Sequence, residues 1–266
     1  MISKGNPDYD CTAMNDDKET EHLRYDGRAQ SLLAAGASKV ETPLVPGSLV
    51  VPPVYRSPYS YYEQCIKKYV SKEDDILELC SGMGLHTYVL AQTGARVVAS
   101  DISSLSLEVL SQRIRGVATR VGDIESLPFE AGSFDAVVIA GGLSYGDPDL
   151  VDAEIRRVLR PGGIFLCVDS LNHNPVYQLN RWFHYRRGLR TKSTLLRMPT
   201  LDRIESISRG FNSVEVRYFG AASYLMPLLA HIIGQSHAAK VSDAVDRFVH
   251  VRCAAFKFVL VAKGRL

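Results

Sequence analysis

Between residues 75 and 168 the sequence alternates short Val-, Ile-, Leu- and Ala-rich runs with stretches of helical apolar spacing, and the early runs end in glycines and acids. The apolar runs are 75–79, 96–100, 118–122, 134–140 and 163–168, and the helical stretches are 85–92, 104–113 and 150–159. Near-continuous apolar strands spaced by helices specify a parallel sheet covered on both faces, because a parallel pair needs a crossover that returns over the sheet. The predicted fold class is therefore α/β, a doubly wound Rossmann-like sheet. In such an open sheet, ligands bind beyond the carboxyl ends of the strands.

The rest of the chain is arranged around this core. Residues 1–22 are acidic and aperiodic and are expected to form a disordered tail. Residues 23–71 form an N-terminal helical cap, with helices at 23–33 and 60–70 joined by a segment holding Pro43, Pro46, Pro52, Pro53 and Pro58. Residues 72–170 are the strand–helix core, at whose strand ends a bound cofactor is expected, and 171–210 are a basic insert expected to meet the substrate. Residues 211–266 close the same domain with strands at 213–219 and 254–262 around an apolar helical excursion at 221–248, giving seven strands in all.

Composition narrows the functional classes. With 46% hydrophobic and 23% charged residues the chain is an ordinary globular one, and a formal charge of +2 carries no global signature of nucleic-acid or membrane binding. Five scattered cysteines without a C-x-x-C pair argue against a disulfide framework and a zinc ribbon, so no metal is expected and a reducing cytoplasm is the expected location. The chain start lacks the pattern of a signal peptide. The longest apolar stretch, 224–234, is broken by Pro227 and His231 and is too short for a membrane span.

Chemistry concentrates at the strand ends. The first strand runs through Glu78, Cys80 and Ser81 into Gly82 and Gly84, where glycine allows a sharp turn and close approach of backbone to a ligand. Asp101 closes the second strand, placed to hold two ribose hydroxyls. Asp123 follows the third, placed to receive an adenine amino group, with Ile102 and Ile124 flanking the base. A dinucleotide fingerprint needs a glycine at position 87, which is Thr87, and the acid Glu78 disfavours a pyrophosphate. The set favours a cationic nucleoside, S-adenosylmethionine, over NAD.

Leu77-Glu-Leu-Cys-Ser-Gly-Met-Gly84, Asp101-Ile-Ser103, Gly122-Asp-Ile124, Leu127-Pro-Phe129, Ser133-Phe-Asp-Ala-Val-Val138 and Arg157-Val-Leu-Arg-Pro-Gly-Gly163 together resemble the class I S-adenosylmethionine-dependent methyltransferases, in particular the bacterial small-molecule group. The resemblance implies an enzyme that converts this cofactor to S-adenosylhomocysteine. It implies cofactor contacts from Glu78, Cys80, Ser81, Gly82, Gly84, His86, Asp101, Ile102, Asp123, Ile124, Ala140 and Gly141, with Tyr25 closing over from the cap. The chain departs from the family pattern at Cys80, where the loop's first glycine is expected.

Substrate chemistry is expected at the same rim. Tyr145, beyond the fourth strand, and His173, beyond the fifth, are the candidate catalytic residues, each as a remover of the acceptor's proton. Between Leu171 and Gly210 the net charge is +6, with Trp182, Phe183, Tyr177 and Tyr185 interleaved. Tyr145, Asn172, Arg181 and Arg186 are therefore the candidate substrate contacts, and the expected acceptor is a hydroxyl or amine of a small anionic molecule such as a sugar or sugar nucleotide. The alternatives are an RNA methyltransferase gripping nucleic acid through this insert and a non-catalytic binding or assembly protein. Homodimerisation is left open.

Overall fold

The computed structural model describes residues 11–34, 53–187, 191–222, 224–248 and 252–266. Seven strands form one sheet: β1 (Asp75–Leu79), β2 (Arg96–Asp101), β3 (Ala118–Val121), β4 (Phe134–Ala140), β5 (Leu159–Ser170), β6 (Phe211–Phe219) and β7 (Lys257–Arg265). Their order is β3-β2-β1-β4-β5-β7-β6, with β7 antiparallel to both of its neighbours and the other pairs parallel. The expected doubly wound α/β architecture and its closing antiparallel pair are both present. The order reverses between β1 and β4, which opens a crevice at their carboxyl ends.

The two-residue period of the strands divides the core between the two faces. Leu77, Leu79, Val137, Ile139, Phe165 and Cys167 point to one face. There they meet Val151, Ile155 and Val158 of α5 (Pro148–Val158) and Ile204 and Ile207 of α8 (Leu201–Ser208). Ile76, Ala136, Val138, Leu166 and Val168 point to the other, against Tyr62 and Ile66 of α2 (Ser57–Tyr69) and Val89 and Leu90 of α3 (Thr87–Ala91). The helix α4 (Ser104–Arg113) packs Leu107 and Leu110 on Ala99. The buried Arg203 of α8 donates to the Leu143 carbonyl at 2.7 Å and to Asp152 of α5 at 3.0 Å, which locks the segment after β4 between two helices.

One expectation changes, and two helical segments gain detail. A helix, α1 (Cys11–Ala34), begins inside the stretch expected to be a disordered tail. Its order comes from tertiary contacts, since Lys18 is held by Asp123 and Glu125, and Asp26 accepts from Ser103 at 2.6 Å. The basic insert is ordered as α6 (Pro175–Arg186) and α7 (Lys192–Leu196), leading to α8. The apolar excursion is two helices, α9 (Met226–Ile233) and α10 (Gln235–Phe248), separated by Gly234 at a φ of +82°. The Pro43–Pro52 part of the linker lies outside the described residues.

Candidate functional site

A cleft opens over the carboxyl ends of β1, β2 and β4. Its floor is Leu79, Cys80, Gly82, Ser100, Asp101, Ile102, Gly122, Asp123, Ile124, Ala140 and Gly141, joined by Tyr145. Its roof comes from two helices. Lys18, Glu21 and Tyr25, spaced three and four apart on α1, share one helical face that looks into the cleft. Ser193, Thr194 and Arg197 close it from α7 and the residue after it.

The floor is held by the Asp101 carboxylate. One oxygen accepts the Gly82 N–H at 2.8 Å and the other the Ser103 N–H at 2.9 Å, so a single side chain ties the loop after β1 to the start of α4. Burial raises the Asp101 carboxyl above its usual range while these backbone donors oppose the rise. The loop turns through positive φ at Cys80 (+52°), Gly82 (+52°) and Gly84 (+89°). A side chain at Gly82 or Gly141 would meet no atom within 4 Å, so both glycines face open space where a ligand can approach the backbone. Cys80 takes the left-handed conformation in spite of its Cβ, and its sulfur lies 2.6 Å from where a Cβ on Gly142 would stand. The loop thus keeps the geometry expected of a glycine, with the strain of a side chain added.

The charged groups of the roof complement the floor. Lys18 donates to Asp123 at 2.7 Å and also pairs with Glu125. Burial alone would lower the Lys18 ammonium, but these two carboxylates raise it. Arg197 is buried, stands 4.0 Å from Glu125, and has one guanidinium nitrogen, Nη2, without a hydrogen-bond partner among the described residues. Tyr25 and Tyr145 share a short hydroxyl–hydroxyl contact with their rings edge to face. Burial raises the Tyr145 hydroxyl far above its ordinary value, which keeps it protonated and makes it a donor and orienting group instead of a base.

Of the expected cofactor residues, Tyr25, Cys80, Gly82, Asp101, Ile102, Asp123, Ile124, Ala140 and Gly141 line the cleft, and Glu78, Ser81, Gly84 and His86 do not. Glu78 is buried behind the loop, where it accepts from the Thr87 hydroxyl. Burial pushes its carboxyl up to about 8, so it is largely neutral at pH 7 and is not the fixed negative charge the sequence reading assigned to it. His86 is buried between Tyr59 and Tyr62, with Nδ1 at 3.2 Å from Glu63.

The expected substrate side changes more. Tyr145 lines the cleft, whereas His173, Asn172, Arg181 and Arg186 do not. His173 is exposed on the loop after β5. Arg181 is buried and donates to the Leu171 carbonyl and to Asn172, which uses both residues to pin the start of the insert. Arg186 lies over the Trp182 ring on the outer surface. The cleft instead receives Lys18, Glu21, Ser193, Thr194 and Arg197, which the sequence reading did not assign; the helical spacing of 18, 21 and 25 was the available signal. Among the described residues no group of His, Cys, Asp and Glu is arranged to hold a metal ion.

Comparison with known proteins agrees with this geometry. Residues 77–167 match the family model described as a methyltransferase domain. The demethylmenaquinone methyltransferase of Lactococcus lactis is 35% identical over 114 residues, covering 39% of this chain and 45% of that protein. Its counterpart in Clavibacter sepedonicus is 43% identical over 97 residues, covering 35% and 40%. The match thus spans under half the length of either relative. Among solved structures, the geranyl diphosphate C-methyltransferase of Streptomyces coelicolor superposes with a TM-score of 0.55 at 16% identity, covering 79% of each chain. A putative sarcosine dimethylglycine methyltransferase of Galdieria sulphuraria gives 0.52 at 14%, covering 79% of this chain and 86% of that one. These likenesses establish the fold.

Two outcomes follow from the loop. Gly142→Ala would drive its Cβ into Cys80 and Ile139, costing about 1–3 kcal/mol of stability, and Cys80→Gly in the same chain should return part of that loss in a denaturant double-mutant cycle. The Glu78 carboxyl, raised in the folded state, contributes stability that is complete below its unfolded value near 4.5 and is lost as pH rises through about 8. Glu78→Gln should therefore flatten the fall in urea midpoint between pH 5 and pH 9. An unchanged slope would place that titration elsewhere.

Proposed function

Starting from residues 77–167 as a class I S-adenosylmethionine-dependent methyltransferase domain, we propose that the chain binds S-adenosylmethionine in this cleft and methylates a small molecule beneath α1 and α7. The observation that carries the reading is the pair of acids, Asp101 and Asp123, flanking a floor whose glycines 82 and 141 leave room for a ligand at the backbone. Asp101 takes the ribose hydroxyls with the lone pairs that its contacts to the Gly82 and Ser103 N–H groups leave over. Asp123 and Ile124 receive the adenine, with Lys18 sharing the Asp123 carboxylate.

When bound, S-adenosylmethionine supplies an electrophilic methyl on its sulfonium. The residues of the chain align the acceptor with that methyl and exclude water. Tyr25 and Tyr145 stand together beside Ala140 and Gly141 and orient the acceptor's hydroxyl or amine through their hydrogen bonds. With the cofactor bound, these residues would present the acceptor to that methyl, and the acceptor's proton would leave to bulk water outside the closed cleft. His173, exposed on its loop, has no part in this reading.

The finer substrate assignment rests on Arg197. Its partnerless buried nitrogen suits an anionic group on the acceptor, the role first assigned to Arg181 and Arg186. The relatives described above are named for demethylmenaquinone, so they lend no support to a sugar.

Titration calorimetry tests the cofactor. S-adenosylhomocysteine should bind more tightly than NAD. Asp101→Ala should weaken it by about tenfold or more, the loss expected of charge-assisted hydrogen bonds worth roughly 1.5–3 kcal/mol. A tighter constant for NAD would overturn the assignment.

A further inference from the structure

The basic insert was expected to face the substrate, yet most of its cations and aromatics lie outside the cleft. On α6, Leu179, Trp182, Phe183 and Arg186 follow one another at three, four and seven residues from Leu179, so they form one stripe along the helix. That stripe is solvent-facing. Leu179 is 57% exposed, Trp182 45% and Phe183 49%, and Leu196 at the end of α7 is 63% exposed. The opposite face of α6 holds the buried Tyr177 and Arg181.

Large apolar side chains are not grouped on the surface of a soluble domain without a partner. The charge of this stretch of sequence is of one sign. From Ser170 to Leu201 the sequence contains no Asp or Glu, while it carries Arg186, Arg187, Arg190 and Lys192 besides the buried Arg181 and Arg197. Arg186 and Arg187 are exposed beside the stripe, and the Arg186 guanidinium sits 5.6 Å from the centre of the Trp182 ring. A second apolar face lies at α9, where Leu225, just before the helix, and Leu228 and Ile232 on it are exposed at similar spacing. The buried sides of the two helices meet one aromatic bridge. Tyr177 of α6 packs on Phe256 at 4.7 Å, Phe256 on Tyr55 at 5.8 Å, and Tyr55 on the Met226 and Ala230 cluster of α9.

We propose that the α6–α7 face docks on an anionic lipid surface, with Leu179, Trp182, Phe183 and Leu196 entering the interfacial layer and Arg186 and Arg187 meeting lipid phosphates. Apolar and aromatic side chains on one helical face, flanked by exposed cations in a stretch of sequence without acids, are the composition of helices that lie in a membrane interface. A protein partner of acidic character would match the cations and leave the Trp–Phe–Leu stripe unexplained. Docking requires no membrane-spanning segment, and among the described residues no helix is long and apolar enough to be one. Because α7 also roofs the cleft through Ser193 and Thr194, the docked face would lie beside the mouth of the site. The inference stands on the surface alone and does not depend on the cofactor assignment.

Trp182 is the sole tryptophan, which makes the test direct. The full chain is mixed with vesicles of phosphatidylcholine containing phosphatidylglycerol and, separately, with vesicles of phosphatidylcholine alone, and followed by tryptophan emission and flotation. Anionic vesicles should shift the emission to shorter wavelength and carry the protein upward, with both effects weakened by added salt. The double variant Arg186→Glu/Arg187→Glu, and separately Phe183→Asp, should lower partitioning by about tenfold or more while the thermal midpoint stays near that of the parent. Unshifted emission and no flotation with anionic vesicles would overturn the proposal. A lipid-free shift that grows with protein concentration, accompanied by dimers in sedimentation, would overturn it equally, in favour of an interface between two copies.

Discussion

The cleft depends on one carboxylate. Asp101 ends β2 and spends an oxygen on each of two backbone amides, Gly82 N–H in the loop after β1 and Ser103 N–H at the start of α4. The parallel register of β1 on β2 sets Leu79 beside Ser100, and the Ser81 N–H continues that ladder to the Ser100 carbonyl. Asp101 fixes what the ladder leaves free, the left-handed turn through Cys80, Gly82 and Gly84. A charged acceptor holding two amides in a partly buried site contributes more than neutral hydrogen bonds do. This offsets the strain of placing a non-glycine residue at Cys80.

The roof is a second, weaker constraint built on the first. Helix α1 buries Ala29 and is tied to the floor by polar contacts: Lys18 to Asp123 and Glu125, and Asp26 to the Ser103 hydroxyl that also caps α4. Such pairs near the surface contribute little individually and weaken with salt. The roof is therefore the part of the site best suited to open for a ligand, and the strand-borne floor the part that stays put. With Lys18 seated on the acid expected to receive the adenine, closure of α1 and occupancy of the adenine position act on the same carboxylate.

How much of this was legible in the sequence follows from the range of the interactions. The strands, the glycine turn and the acids at strand ends are local patterns, and the structure places Gly82, Asp101, Asp123 and Gly141 together at the switch point as the alternation implied. Residues in the roof are brought in by contacts more than a hundred positions apart, such as Lys18 with Asp123, which no local pattern encodes. For the insert, sequence identified the rim but not the direction of each side chain. Arg181 turned inward to the Leu171 carbonyl, Arg186 turned out onto Trp182, and Arg197 alone of the three reached the cleft. Glu78 shows the same limit for electrostatics: an acid on a strand reads as a charge, and burial leaves it largely protonated although the Thr87 hydroxyl donor opposes the rise.

The central claim is that one adenosyl ligand lies between the Asp101 loop and the α1–α7 roof. Amide hydrogen exchange by mass spectrometry, with and without S-adenosylhomocysteine, tests it most directly because it reports where the ligand sits as well as whether it binds. The account predicts slowed exchange in segments 18–25, 80–84, 101–103, 122–124 and 193–197, with the closing strands β6 and β7 unchanged. Binding that leaves 80–84 and 101–103 exchanging at their free rates would contradict it.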